Sequence, residues 1–285
     1  MMIEQFPTTM DTRWPNHWLP DPSTIIASGV SADLHNLGDG RVIKLFRPAV
    51  SDDMIAREAA MSTDAYRRNL PAAPALARGD VGGLRGILYP HVAGGTMMQW
   101  IRKHPLRAGQ AIDRMARAQA SIHRAGGGDG RRLKDVIATD IAYGPAPLAL
   151  QRAAIDRLTT LPHGDALLHG DYHLGNIMIG PQGLTVIDWS KGAVGHPAAD
   201  VARTEMLMRF GIGPDDWITN LWRDWAARRF TRTYLAASTI SQADIDIYRP
   251  FVALAWLRAR SAGRNRAFAH YLNDSLLRAG LPLLD

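Results

Sequence analysis

The stretch LLHGDYHLGNIMIGPQGLTVIDWS, residues 167–190, constrains this chain more than any other. Its apolar residues read as two short strands, Asn176–Ile179 and Leu184–Trp189, joined around Gly180-Pro181-Gln182-Gly183, the composition of a tight turn. Two histidines, two aspartates and an asparagine sit among them, and polar groups taken into a core cost free energy unless each finds a partner. With the turn centred near Gln182, Asn176 and Asp188 lie six residues to either side and face one another at the open end. Opposed residues of an antiparallel pair have Cβ atoms roughly 4.5–5.5 Å apart. An amide oxygen beside a carboxylate suits a hard cation such as magnesium. Asp171, on the loop entering the same end, is available as a base or as another ligand.

Two other readings of the same residues compete. His169-x-Asp171-x-His173 has half the pattern of a histidine-rich metal site, which would favour zinc or iron and a metal-dependent hydrolase. Such a site wants more histidines, and the remaining ones lack matching spacing. The hairpin could also be structural, its polar groups satisfying one another.

Composition narrows the chemistry. The chain has no cysteine, which excludes disulfides, thiolate catalysis and cysteine-bound zinc. Glu4 and the lack of an apolar run near it argue against a secretory signal, and Phe251–Leu257 is too short to span a bilayer, so a soluble, cytoplasmic protein with no membrane partner is expected. A net charge of +6 raises the question of nucleic acid. The arginines are dispersed, however, and Arg228, Arg229, Arg232, Arg258, Arg260, Arg264 and Arg266 read as solvated helix faces, which makes a nucleic-acid partner unfavoured.

At 285 residues, one large domain or two smaller ones are expected. Residues 1–23, with four prolines, Trp14 and Trp18, suggest an extended arm held by its aromatics. Strand-like runs follow at Thr24–Ser28, Ala32–Leu37 and Arg41–Phe46, then a helix from the Ser51 cap to about Asn69, then strands Ala75–Val81 and Leu84–Tyr89. Beyond the Ala93-Gly94-Gly95 hinge the chain turns helical, over Thr96–Lys103, Leu106–Arg124, Ala146–Leu161, Ala198–Arg209, Asp215–Leu235, Gln242–Ala262 and Ala267–Leu277. This pattern predicts a unit over 1–92 and a larger one over 93–285.

His169-Gly170-Asp171-Tyr172-His173-Leu174-Gly175-Asn176, followed by Ile187-Asp188-Trp189, closely resembles the aminoglycoside phosphotransferase and choline kinase family of small-molecule kinases. The resemblance runs from about residue 25 to the C-terminal helices and weakens after Phe210. It implies an α+β, bilobal, protein-kinase-like fold, with a small β-sheet N-lobe carrying one helix and a larger, mostly helical C-lobe. Residues 1–92 would then bind nucleotide, and 93–285 would carry catalysis and the acceptor. Asp171 would be the catalytic base, and Asn176 and Asp188 would hold Mg2+ against the phosphates of ATP, with GTP as the other candidate donor. Lys44, in Val42-Ile43-Lys44, stands where the family carries its phosphate-contacting lysine, and Glu58 on the next helix could pair with it. Leu88-Tyr89-Pro90-His91-Val92 resembles the adenine-binding hinge, which uses the Pro90 carbonyl and the Val92 N–H.

Three positions depart from kinase patterns. The Ser28–Ala32 turn has a single glycine, leaving Ser31 and neighbouring N–H groups to cover the phosphates. Gly170 replaces the arginine with which regulated protein kinases read a phosphorylated loop, and Trp189 replaces a phenylalanine. Asp200 is expected to cap its helix and brace the loop around Asp171, while His123 reads as a packed residue and His196 as a loop residue. The expected reaction moves the γ-phosphoryl group of ATP to a hydroxyl of a small molecule. A catalytically weak, nucleotide-binding pseudokinase is the alternative. A sequence pI near 9.9 favours a neutral or weakly cationic acceptor over a polycation. Trp217, Trp222, Trp225 and Trp256 read mainly as core, with a cage for a choline-like cation as the rival use.

Overall fold

The computed structural model describes residues 11–128, 130–181, 183–214, 216–259 and 266–284. Expectations placed on Glu4, Gln182, Asp215, Arg260, Arg264 and the far end of the 242–262 helix fall outside them. The chain forms two compact units, one of Met1–Lys103 with Gly175–Gly192, the other of His104–Leu174 with Ala193–Asp285. This differs from a single cut at 92/93, because the polar hairpin belongs by its pairing to the first unit.

The first unit is built on a sheet of β1 (Ile25–Ser28), β2 (Ala32–Asn36), β3 (Arg41–Phe46), β4 (Ala77–Val81) and β5 (Leu84–Pro90), all neighbours antiparallel, in the order β1-β2-β3-β5-β4. Alternation along β3 separates two cores. Ile43 and Leu45 point to one face with Val81 and Leu88, and Trp14 and Trp18 of the arm pack there. Trp14 also donates its indole N–H to the Asp80 carbonyl at 3.0 Å, and Arg41 grips the carbonyls of Asp11 and Arg13. The described part of the arm is therefore a cover for one sheet face. The other face carries Phe46 and Ile87 against α1 (Asp52–Arg67). Ser51 caps that helix and Asp52 and Asp53 suit its positive end, while Ile55, Glu58, Ala59, Ser62 and Ala65 form its buried stripe.

After β5 come β6 (Gly95–Thr96) and α2 (Met97–Lys103). The polar hairpin, β8 (Ile177–Gly180) and β9 (Gly183–Val186), pairs with β6 through Gly95↔Ile179 and Thr96↔Met178. Gly94, at φ +105°, lies so close to the Ile179 carbonyl that any Cβ there would sit 2.1 Å from it, so only glycine fits. The Val186 N–H donates to the Pro71 carbonyl at 2.6 Å, tying β9 to the segment after α1.

The second unit comprises α3 (Ala108–Arg124), α4 (Leu133–Ala142), α5 (Leu148–Thr159), a short ladder of β7 (Ala166–Leu168) with β10 (Ala193–Gly195), then α6 (Pro197–Phe210), α7 (Trp217–Ala236), α8 (Gln242–Trp256) and α9 (Arg266–Arg278). Helix α3 is buried along most of its length and packs on α7, and α6 packs on both α7 and α8. Helix α4 was not expected from the sequence. Its Val136, Ile137, Thr139 and Ile141 are β-branched and poor helix formers, and burial of Ile137 and Ile141, four residues apart, overrides that preference.

Candidate active site

In the first unit the geometry centres on Lys44. Its neighbours Ile43 and Leu45 are turned to the arm-covered core, so the lysine projects to the α1 side of the sheet, where Phe46 also points. There Lys44 Nζ donates to Glu58 Oε1 at 2.7 Å and to Asp188 Oδ1 at 3.3 Å. Glu58 is 2% exposed and Asp188 37%, so one carboxylate is a buried anchor and the other meets solvent. Burial alone would lower the Lys44 pKa; Asp188 and Glu58 outweigh it and hold the ammonium above its ordinary value. Burial raises Glu58. The Tyr89 hydroxyl, which the sequence did not single out, donates to the same Glu58 oxygen at 3.2 Å. Asp52 and Asp53 stay exposed, and Asp52 pairs with Arg85 instead.

The hairpin register differs from the one expected. Ile177 pairs with Val186 and Gly180 with Gly183, and the Ile187 N–H donates to the Asn176 carbonyl. Asn176 therefore faces Ile187, and Asp188 lies one residue beyond. A two-residue connection puts the turn centre between Pro181 and Gln182, half a residue earlier than assumed. Asp188 leaves the strand direction by adopting the left-handed conformation, φ 61° and ψ 68°. That region is costly for most side chains and best tolerated by Asn and Asp. Asn176 and Asp188 supply amide and carboxylate oxygen, the donor chemistry that magnesium accepts.

Ser31 lies in the exposed connection between β1 and β2, where its carbonyl accepts from the Arg47 N–H at 2.8 Å. Pro90 ends β5 opposite Arg41. The next N–H, of His91, is taken by the Gly40 carbonyl at 2.9 Å, and Val92 follows in the link to β6.

In the second unit the loop around Asp171 is held from beneath by Asp200. Asp200 is 1% exposed; its Oδ1 accepts from the Gly170 N–H at 2.9 Å, and its Oδ2 from the His169 N–H, Gln119 Nε2 and His123 Nε2. Burial alone would raise this carboxyl, but the hydrogen bond and field of His123, the field of His169 and the Gln119 bond hold it down at about 2. Gly170 has φ +75°, which bends the loop so that successive N–H groups converge on one carboxylate. Asp200 thus braces the loop but does not cap α6. The cap is His196, whose Nδ1 accepts from the Ala198 N–H, with Pro197 in the first turn. His123 is a buried residue bonded to both Tyr234 and Asp200.

Asp171 itself pairs with Arg203 of α6, Nη2 to Oδ1 at 3.5 Å. Arg203 was missed, although its place one helical turn after Asp200 was a usable signal. His169 is fully buried, and its Nδ1 accepts the Asp171 N–H, so that nitrogen is already engaged. Among the described residues, no group of three His, Asp or Glu side chains is placed to hold a metal ion, which leaves the histidine-metal reading without support. The tryptophans also divide. Trp256 is buried against Phe268, whereas Trp217 is 75% and Trp225 37% exposed, so those two are not core.

The sequence profile of the phosphotransferase enzyme family (APH) matches residues 24–251, and the chain belongs to that family. No curated protein matches it in sequence. Solved structures similar in fold include the amicoumacin kinase hAmiN in complex with AMP-PNP, Ca2+ and Ami, at 12% identity and a TM-score of 0.61, over 92% of this chain and 89% of that one. A thermostable mutant of aminoglycoside phosphotransferase APH(4)-Ia is similar at 18% identity and TM-score 0.58, over 90% and 94% of the two chains. The choline kinase of Cryptosporidium parvum Iowa II is similar at 13% and 0.58, over 91% and 92%. At these identities the likeness concerns the fold, which is α+β and kinase-like. No helix among the described residues is long and apolar enough to cross a membrane.

Proposed function

We propose that this phosphotransferase moves the γ-phosphoryl group of ATP, as its magnesium complex, to a hydroxyl of a small molecule. The observation that carries the reading is Lys44, held as an ammonium between buried Glu58 and half-exposed Asp188. A cation fixed on a strand, with one buried carboxylate orienting it and another partly exposed, is preorganised to meet phosphate oxygens. Asn176 and Asp188 would hold the magnesium ion, which when bound neutralises phosphate charge. Ser31 and the N–H groups of its turn would lie over the phosphates, and the Pro90 carbonyl and Val92 N–H would read the adenine.

Asp171 would accept the proton of the acceptor hydroxyl. The freed oxygen forms its bond to the γ-phosphorus while the bond from that phosphorus to the β–γ bridging oxygen breaks, releasing ADP. Positioning and charge supply most of the acceleration in such a transfer. The Arg203 guanidinium beside Asp171 supports a neutral or weakly charged acceptor, since it places positive charge next to the base. The fold neighbours act on, or are named for, amicoumacin, aminoglycosides and choline, and the acceptor class here is a hydroxylated small molecule of that general size.

Two variants separate the proposed roles. Asp171→Asn should bind Mg-ATP nearly as the parent does but turn over roughly 10²–10⁴ more slowly, the worth of a positioned general base. Asp188→Asn should lose magnesium-dependent nucleotide affinity together with turnover. Calorimetric titration of Mg-ATP into both, beside their kcat values against a panel of hydroxylated acceptors, reads the difference. Equal loss of nucleotide binding in the two variants would make Asp171 a metal ligand and overturn the assignment.

A further inference from the structure

The second unit carries an open concavity of about 440 Å³ between α6, α7 and α8. Four arginines line it: Arg209 from α6, Arg228 and Arg232 from α7, and Arg249 from α8. The carboxylates in its wall are Glu205 and Asp246, and both are committed. Glu205, 2% exposed, receives Arg209 at 2.9 Å and Arg249 at 2.6 Å, and Asp246 receives Arg249 at 2.6 Å. Arg209 also pairs with Asp224.

That leaves a specific set of unused donors. The Nε atoms of Arg209 and Arg249 are buried without a hydrogen-bond partner, and so is the hydroxyl of Thr231, a residue 6% exposed that lines the same cavity. A buried donor left unpaired costs roughly 1–3 kcal/mol, and native proteins keep few of them. Arg228 and Arg232 are exposed, four residues apart on one face of α7, and make no ion pair among the described residues. Like charges at that spacing repel one another. Three helices thus bring positive charge to one concavity, while the unpaired donors lie buried in the wall behind it.

We infer that this cavity binds a small organic phosphate. Guanidinium groups from three helices match the several acceptor oxygens of a phosphoryl group, and the volume exceeds what a bare phosphate needs. None of the residues placed in phosphoryl transfer lines this cavity. Neither Asp171 nor Arg203 lines it, and Arg209 stands six residues beyond Arg203, about 9 Å farther along α6. It does not depend on the identity of the acceptor.

The test measures binding of inorganic phosphate, glycerol 3-phosphate and citrate to the full chain at fixed ionic strength, by calorimetry and by thermal shift. The parent is compared with Arg228→Gln/Arg232→Gln, with Thr231→Val and with Lys44→Ala. Glycerol 3-phosphate should bind the parent and Lys44→Ala alike, and the double arginine variant at least about tenfold more weakly, as loss of charge-assisted contacts requires. Thr231→Val should bind nearly as the parent does, because that hydroxyl is buried in the wall. The unliganded melting temperature of the double variant should equal or exceed the parent's, because a repulsive pair has been removed. No binding of either phosphate at millimolar concentration overturns the inference. So does binding that survives the double arginine change but is lost in Lys44→Ala, since that places the anion at the lysine. Citrate binding as tight as that of glycerol 3-phosphate would overturn the choice of a phosphoryl ligand.

Discussion

Replacing Asp200 by asparagine tests how the loop around Asp171 is held. Asparagine keeps the shape of the side chain but turns one acceptor oxygen into a donor. If its NH₂ takes the place of Oδ1, it confronts the Gly170 N–H; if it takes the place of Oδ2, it confronts three donors, from His169, Gln119 and His123. The milder arrangement still strands one buried N–H, for roughly 1–3 kcal/mol, and removes the charge from the remaining bonds. The titration of the group gives a second route. Its carboxyl sits at about 2 in the folded protein against 3.8 for a free one. That difference corresponds to about 2.5 kcal/mol of stability at neutral pH. Because the folded value is the lower, this contribution is complete above the unfolded pKa and is lost as pH falls through the folded one. The variant should therefore be less stable by about 3 kcal/mol at neutral pH, a drop of roughly 5 °C in Tm. The gap should shrink to about half near pH 3. Thermal and urea melts followed by circular dichroism, parent against variant at each pH, supply the measurement. Equal stability at neutral pH, or a gap unchanged by acid, would refute the clamp.

Lys44→Ala should do more than slow turnover by roughly 10² or more; it leaves Glu58, 2% exposed, without its cation. A stability loss of about 3 kcal/mol follows, and adding Glu58→Gln should recover part of it in urea unfolding while activity stays low. Gly170→Ala forces a Cβ into the left-handed region at φ +75°, so urea unfolding should show a loss of about 1–2 kcal/mol; an unchanged midpoint would mean the loop relaxes at no cost.

The sequence alone determined what local interactions decide. The Ser51 cap with two acids behind it announced α1, the alternation of Arg41–Phe46 announced β3 with its ends in place, and the HGD-x-x-x-x-N and ID residues identified the family. Capping, alternation and turn chemistry act over a few residues, so they can be read from a few residues. What depends on distant partners could not be read that way. Asp52, Asp53 and Glu58 are locally equivalent acids on one helix, and only packing of α1 on the sheet buries Glu58 beside Lys44. The register of β8 and β9 turned on a two-residue connection, and a shift of a single residue exchanges which side chain faces Asn176. Asp200 gathers donors from residues 31 and 81 positions away, and its choice between cap and clamp was made by where α3 lies. Arg228 and Arg232 looked like any solvated pair until the fold set them beside α6 and α8 at one open concavity. In each case the side chain was visible in the sequence, while its partner was supplied by long-range packing, which periodicity and propensity do not encode.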